Sequence, residues 1–162
     1  CHKGHIPENQ VCDEMHSVYD FMPTLLEYLG FENDEADELP GKSFLPALMG
    51  QEHKNEDGRV VVFDEYGPVR MIRSRKYKLV HRYPYGPDEF YDLEADPGET
   101  HNGIEDEQYQ DMIQDMKKQM ELWFLQYVDP RIDGAKEPVM GGGQRDLAGL
   151  LGPGINVYGE NI

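Results

Sequence analysis

Residues 60–102 read VVVFDEYGPVRMIRSRKYKLVHRYPYGPDEFYDLEADPGETHN, and this stretch decides the fold. Four runs rich in β-branched and aromatic residues, Val60–Phe63, Val69–Arg73, Tyr77–His81 and Glu89–Leu93, are separated by turn formers, the pattern of an antiparallel meander. Ser74-Arg75-Lys76 is the expected hairpin turn, and Tyr83-Pro84-Tyr85-Gly86-Pro87 forces a second reversal. Alternation sends Tyr77, Leu79 and His81 to one face of the sheet and Lys78, Val80 and Arg82 to the other. Arg70 and Ile72 oppose Val69, Met71 and Arg73 in the same way. The last run leads into Asp96-Pro97-Gly98-Glu99 and then Asn102.

Four strands need a cover on their apolar face, and the sequence supplies one between about Glu105 and Tyr127. Tyr109, Met112, Ile113, Met116, Met120, Trp123, Phe124 and Tyr127 recur at helical period, a core-facing stripe. Glu105, Asp106 and Glu107 suit the positive N-terminal end of such a helix. Upstream, Asp20 is placed to cap a helix starting at Phe21, with Pro23 in its first turn and Gly30 as its stop. Its apolar face is Phe21, Leu25, Tyr28 and Leu29. A shorter version recurs at Ser43–Gly50, and Asn33–Glu38 reads as a solvated acidic loop. After Asp129-Pro130 the periodicity stops, and Gly141-Gly142-Gly143 with Gly149–Gly154 gives an irregular tail. The expected fold is therefore α+β: a small four-stranded antiparallel sheet against one long C-terminal helix, with short N-terminal helices and a Gly-rich tail.

Composition narrows the partners. A net charge of −17 disfavours nucleic acid and anionic membranes, both of which are bound through basic surface. No apolar run reaches the roughly 18 residues of a membrane span. Hydrophobic residues make up 38% and the mean hydropathy is −0.72, but their structured spacing argues against wholesale disorder. Six of the 15 Lys and Arg residues lie between Arg70 and Arg82, a basic stripe on an acidic body. Cys1-x-x-x-His5 and Cys12-x-x-x-His16 overlap zinc-ligand spacings, yet structural zinc sites usually pair Cys-x2–4-Cys with His-x3–5-His, so no metal site is assigned. The cysteines read as buried or free thiols beside surface histidines.

An arginine-bearing strand, a Tyr-Lys strand, a Phe-Tyr-Asp-Leu strand and a closing Asp-Pro-x-Glu-x-x-Asn, in that order, resemble the C-terminal subdomain of sulfatases of the alkaline phosphatase superfamily. The resemblance extends upstream through His5-Ile6-Pro7, Tyr19-Asp20-Phe21-Met22-Pro23-Thr24 and Leu39-Pro40-Gly41, which resemble the link from the catalytic domain. It implies three regions: residues 1–58 as the end of the catalytic domain and linker, 59–128 as the C-terminal subdomain, and 129–162 as an extended tail. Beginning at Cys1 rather than Met, the sequence reads as a piece of a longer chain, whose parent is expected in the periplasm or outside the cell.

Sulfate-ester hydrolysis requires a strong nucleophile and concentrated positive charge around the sulfate oxygens. The family's solution, implied by the resemblance, is a formylglycine made within Cys/Ser-x-Pro/Ala-Ser/Ala-Arg beside a divalent metal, usually calcium. No such motif occurs in the 162 residues. The expectation is therefore a region without catalytic residues or cofactor of its own, partnered by a sulfatase catalytic domain upstream. Arg70, Arg73, His81 and Arg82 are the candidates to contact an anionic sulfated substrate, while Asp92, Asp96 and Glu99 suit turn and capping roles. The competing readings are the same region of a phosphonate or phosphodiester hydrolase, and a stand-alone acidic protein-interaction module.

Overall fold

A computed structural model describes residues 2–32, 38–51, 58–63, 68–83, 85–131 and 133–134. Cys1, most of the acidic loop and the Gly-rich tail beyond residue 134 lie outside the described residues. The chain forms two compact units, Cys1–Val60 and Val61–Ile162.

In the first unit a 3-10 turn, Val18–Asp20, runs directly into helix α1, Phe21–Leu29. Asp20 does not cap α1 as expected. It has helical dihedrals of its own (φ −74°, ψ −16°), so the helical path begins before it, and Ser17 is the capping residue. The buried Asp20 carboxylate instead accepts the backbone N–H of Ser17 at 2.7 Å and of Lys42 at 2.9 Å. Thr24 extends the link, donating to the Asp20 carbonyl at 2.6 Å and accepting from the Phe44 N–H at 3.0 Å. Asp20 and Thr24 thus tie the start of α1 to the 42–44 segment. A Cβ on Gly41 would collide with the Tyr19 carbonyl, which reserves that position for glycine. Gly30 ends α1 in the left-handed conformation (φ 76°), as its position predicts. The expected apolar face behaves differently: Phe21, Leu25 and Leu29 are exposed, and α1 buries Pro23 and Thr24. Helix α2 is the single turn Leu45–Leu48.

The second element group is the sheet, with strands β1 Arg59–Phe63, β2 Val69–Ser74, β3 Tyr77–Arg82 and β4 Glu89–Asp92 in the order β1-β2-β3-β4. The meander predicted from the sequence is therefore the observed topology. β2 and β3 pair antiparallel through a two-residue loop, Arg75-Lys76, with the Ser74 hydroxyl accepting the Tyr77 N–H at 2.9 Å. The register sets Ile72 opposite Leu79, and Leu79 opposite Phe90 on β4. This apolar row, with Val61, packs on Ile113, Met116, Met120 and Phe124 of helix α3, Gln110–Tyr127. The helix starts later than the acidic run suggests. Gly103 to Asp106 form a turn and Glu107–Tyr109 a 3-10 turn, so of the three acids only Glu107 enters a helical first turn. Met112, counted in the apolar stripe, is on the exposed side.

Candidate functional site

The four side chains expected to meet substrate, Arg70, Arg73, His81 and Arg82, all lie on β2 and β3, where Arg70 pairs with His81 and Val69 with Arg82. Alternation divides them: Arg70 and His81 share the face covered by α3, while Arg73 and Arg82 lie on the other. The strand pair collects the basic stripe, but not as one surface.

Arg70 is 4% exposed. One guanidinium nitrogen donates to both carboxylate oxygens of Asp133, the longer contact being 2.6 Å, and the other reaches Glu121 and the Tyr83 hydroxyl, each at 3.4 Å. The guanidinium plane also lies over the Phe124 ring, 3.6 Å from its centroid. Both terminal nitrogens are committed within the domain.

His81 stands at the end of β3 with its Nδ1 2.7 Å from Asp88, and Lys117 on α3 reaches the other Asp88 oxygen at 2.7 Å. The Arg82 backbone N–H adds a third bond to Asp88 at 3.1 Å. Burial opposes ionisation of Asp88, but the bonds from His81, Lys117 and Arg82 outweigh it and hold the carboxyl down to about 2. An ionised carboxylate only accepts, so Nδ1 of His81 carries the donated proton and Nε2 remains for another partner. Sequence reasoning missed Asp88 and Lys117. Lys117 follows Ile113 by four residues and so flanks the buried stripe, a signal legible only once the strand end facing it is known.

Because the folded carboxyl titrates below its ordinary 3.8, Asp88 contributes stability above about pH 4 that is lost as pH falls toward 2. The difference is worth about 2 kcal/mol. Asp88→Asn should lower urea stability by about that amount at pH 7. The gap to the native protein should close by pH 2; a gap that persists unchanged at pH 2 contradicts this assignment.

On the opposite face, Arg82 pairs with buried Glu89 at 2.7 Å and donates to the Pro87 carbonyl at 2.8 Å. Tyr91 donates to Glu89 at 2.9 Å, and burial followed by this carboxylate pushes the phenol up to about 12. Lys78 pairs with Glu99, and Arg73, opposite Lys78 in the register, is exposed.

The closing motif serves structure, as expected. Asp96 accepts the N–H groups of Thr100 at 2.6 Å and His101 at 2.8 Å. Asp92 accepts those of Glu94 and Ala95 at 3.1 Å. The Asn102 side chain accepts the Phe90 N–H at 3.0 Å and the Ile104 N–H at 3.1 Å, while donating to the Asp88 carbonyl at 3.2 Å. With Gly103 N–H bonded to the Phe90 carbonyl at 2.9 Å, the motif occupies the open edge of β4.

Among the described residues one group of side chains could hold a metal ion: Cys12, Glu14 and His16, whose donor atoms lie within 4.8 Å of one another. Sequence reading noted the cysteine and histidine and passed over Glu14 between them.

The order of these parts, and the turn that seals the last strand, place the molecule among the C-terminal domains of sulfatases of the alkaline phosphatase superfamily. The chain belongs to the family described as N-sulphoglucosamine sulphohydrolase, C-terminal, which matches residues 2–125. It is similar to the Delta 4,5-hexuronate-2-O-sulfatase of Bacteroides thetaiotaomicron, with 33% identity over 100 residues, 58% of this chain and 20% of that protein. It is also similar to a multifunctional alkaline phosphatase superfamily protein of Trinickia caryophylli, with 32% identity over 128 residues, 68% of this chain and 24% of that protein. A solved structure in complex with its substrate, D-glucosamine-2-N,6-O-disulfate, aligns with a TM-score of 0.59 and 26% identity, over 73% of this chain and 25% of that one. The chain thus spans about a quarter of the length of the relatives it matches.

Sulfatases of this superfamily use a metal and a formylglycine. The sequence, and the one donor cluster among the described residues, do not fit either group. The sequence has no formylglycine motif, and a thiol with an imidazole is the wrong donor set for calcium, which takes six to eight oxygens.

Proposed function

We propose that this chain is the supporting and substrate-facing lobe of a larger sulfatase, catalytically silent by itself and packed beside the active site of a catalytic domain that precedes it. The exposed apolar side chains of α1, Phe21, Leu25 and Leu29, are the surface through which the first unit meets that domain. The substrate is a sulfated saccharide or a comparable anionic sulfate ester.

The end of β3 carries this reading. There Arg82 offers a guanidinium braced by Glu89 and Pro87, on the same face as exposed Arg73, and His81 offers an imidazole oriented by Asp88. Braced guanidinium groups recognise oxyanions such as the tetrahedral sulfate group with little further ordering. Arg82 and His81 lie on opposite faces of one strand, so a substrate reaches both only around the rim beside the 83–88 turn. Arg70 is assigned to stability, because its side chain is only 5% exposed, against 12% for Arg82, and both of its terminal nitrogens are engaged by Asp133, Glu121 and Tyr83.

The test is kinetic, in the full-length enzyme. Arg82→Ala and His81→Ala should each raise KM for a sulfated saccharide about tenfold, with kcat nearly constant, the sign of lost ground-state binding. Unchanged KM in both variants would refute a recognition role. The purified 162-residue chain should not turn over an aryl sulfate, and measurable contaminant-free turnover would remove the claim that it is silent.

A further inference from the structure

We propose that Cys12, Glu14 and His16 form a three-donor site for a divalent ion of the zinc class. The three residues are spaced two apart, and the bend at Glu14 lets the side chains of Cys12 and His16 approach each other. Their donor atoms already lie within 4.8 Å of one another, and Cys12 Sγ is 3.8 Å from His16 Nε2. Zinc binds sulfur at about 2.3 Å and imidazole nitrogen at about 2.0–2.1 Å; in a tetrahedron those bonds set sulfur and nitrogen about 3.6 Å apart. The observed separation is close to what the ion requires, so little rearrangement precedes binding.

The surroundings hold the site in shape. The His16 ring stacks on Phe44, with centroids 4.4 Å apart and planes at 24°, and the chain immediately after it is anchored by the Ser17–Asp20 capping box. Cys12, His16 and Phe44 also line a cavity of about 460 Å³, with Gln10 and Leu48 on its wall. Three protein donors beside an open cavity leave a fourth position for water or a small ligand, as in zinc sites that are not coordinatively closed. Thiolate and imidazole select zinc over calcium or magnesium. On binding, the Cys12 thiol gives its proton to solvent as the metal–sulfur bond forms, with no change of oxidation state.

Titration of the 162-residue chain with zinc against a chromophoric competitor decides the matter. The chain should take up one zinc ion, and Cys12→Ser or His16→Ala should weaken binding about tenfold or more. Cys1→Ser should bind as the native chain does, because the proposed ligands do not include Cys1. On the unaltered chain, zinc should slow alkylation of Cys12, followed on its own peptide, about tenfold. Native-like binding by Cys12→Ser, loss of binding in Cys1→Ser, or an unchanged alkylation rate at Cys12 would each overturn the proposal.

Discussion

Replacing Arg70 with methionine is expected to destabilise the sheet-and-helix unit by about 3 kcal/mol in urea denaturation, with little effect on substrate affinity in the full-length enzyme. Arg70 is 4% exposed, and its guanidinium links β2 to Asp133 beyond α3, to Glu121 on α3 and to Tyr83 after β3. Most of the loss comes from Asp133, whose side chain is only 18% exposed and would lose its ion pair with Arg70. Glu121 contributes less, because at 45% exposure it returns to water when released. Methionine fills much of the arginine stem's volume, so the measurement isolates the charge and its hydrogen bonds from a cavity. Lysine should rescue poorly, since a single ammonium cannot serve Asp133 and, from a second nitrogen, Glu121 and Tyr83, nor make the flat contact on Phe124. If Arg70→Met were as stable as the native protein but bound substrate about tenfold more weakly, Arg70 would join the proposed contacts Arg82 and His81.

What was legible in the sequence is what short-range periodicity encodes. Tyr77, Leu79 and His81 alternate with Lys78, Val80 and Arg82, and the register confirms the two faces they imply. Ile113, Met116, Met120 and Phe124 recur at helical spacing and form the cover. The Asp-Pro-x-Glu-x-x-Asn run was readable as a turn because an aspartate that gathers following amides is a local device. Long-range polar partners were not legible. Asp133 lies 63 residues from Arg70, Lys117 lies 29 from Asp88, and the Lys42 amide lies 22 from Asp20; no periodicity links such pairs. The misplaced cap at Asp20 has the same origin. Its short polar side chain at a helix start is a fair local signal, but the tertiary acceptor role, fixed by the approach of Gly41 to Tyr19, took precedence. The exposed face of α1 shows the opposite limit, for amphipathic spacing identifies an apolar stripe without naming what covers it.

Phe90→Ala is expected to cost about 3–5 kcal/mol, the largest effect of any single substitution considered. Phe90 is fully buried on β4, pairs with Leu79, and holds its ring 5.0 Å from Tyr109 and 5.4 Å from Tyr77. Its backbone is also the strand-edge position that Asn102 and Gly103 engage, so the ring and the closing motif act on one residue. Truncation opens a cavity where sheet, turn and helix meet, and no neighbour collapses into it without leaving its own contact. Met112→Ala is the matching control. It belongs to the same apolar stripe in the sequence but is 36% exposed, so its loss should stay within about 0.5 kcal/mol. Comparable losses at the two positions would mean that the helix contributes its whole stripe rather than one face, and the packing of α3 on the Ile72–Leu79–Phe90 row would be wrong. A large loss at Phe90 alone would support that row as the anchor of the β3 end that carries His81 and Arg82.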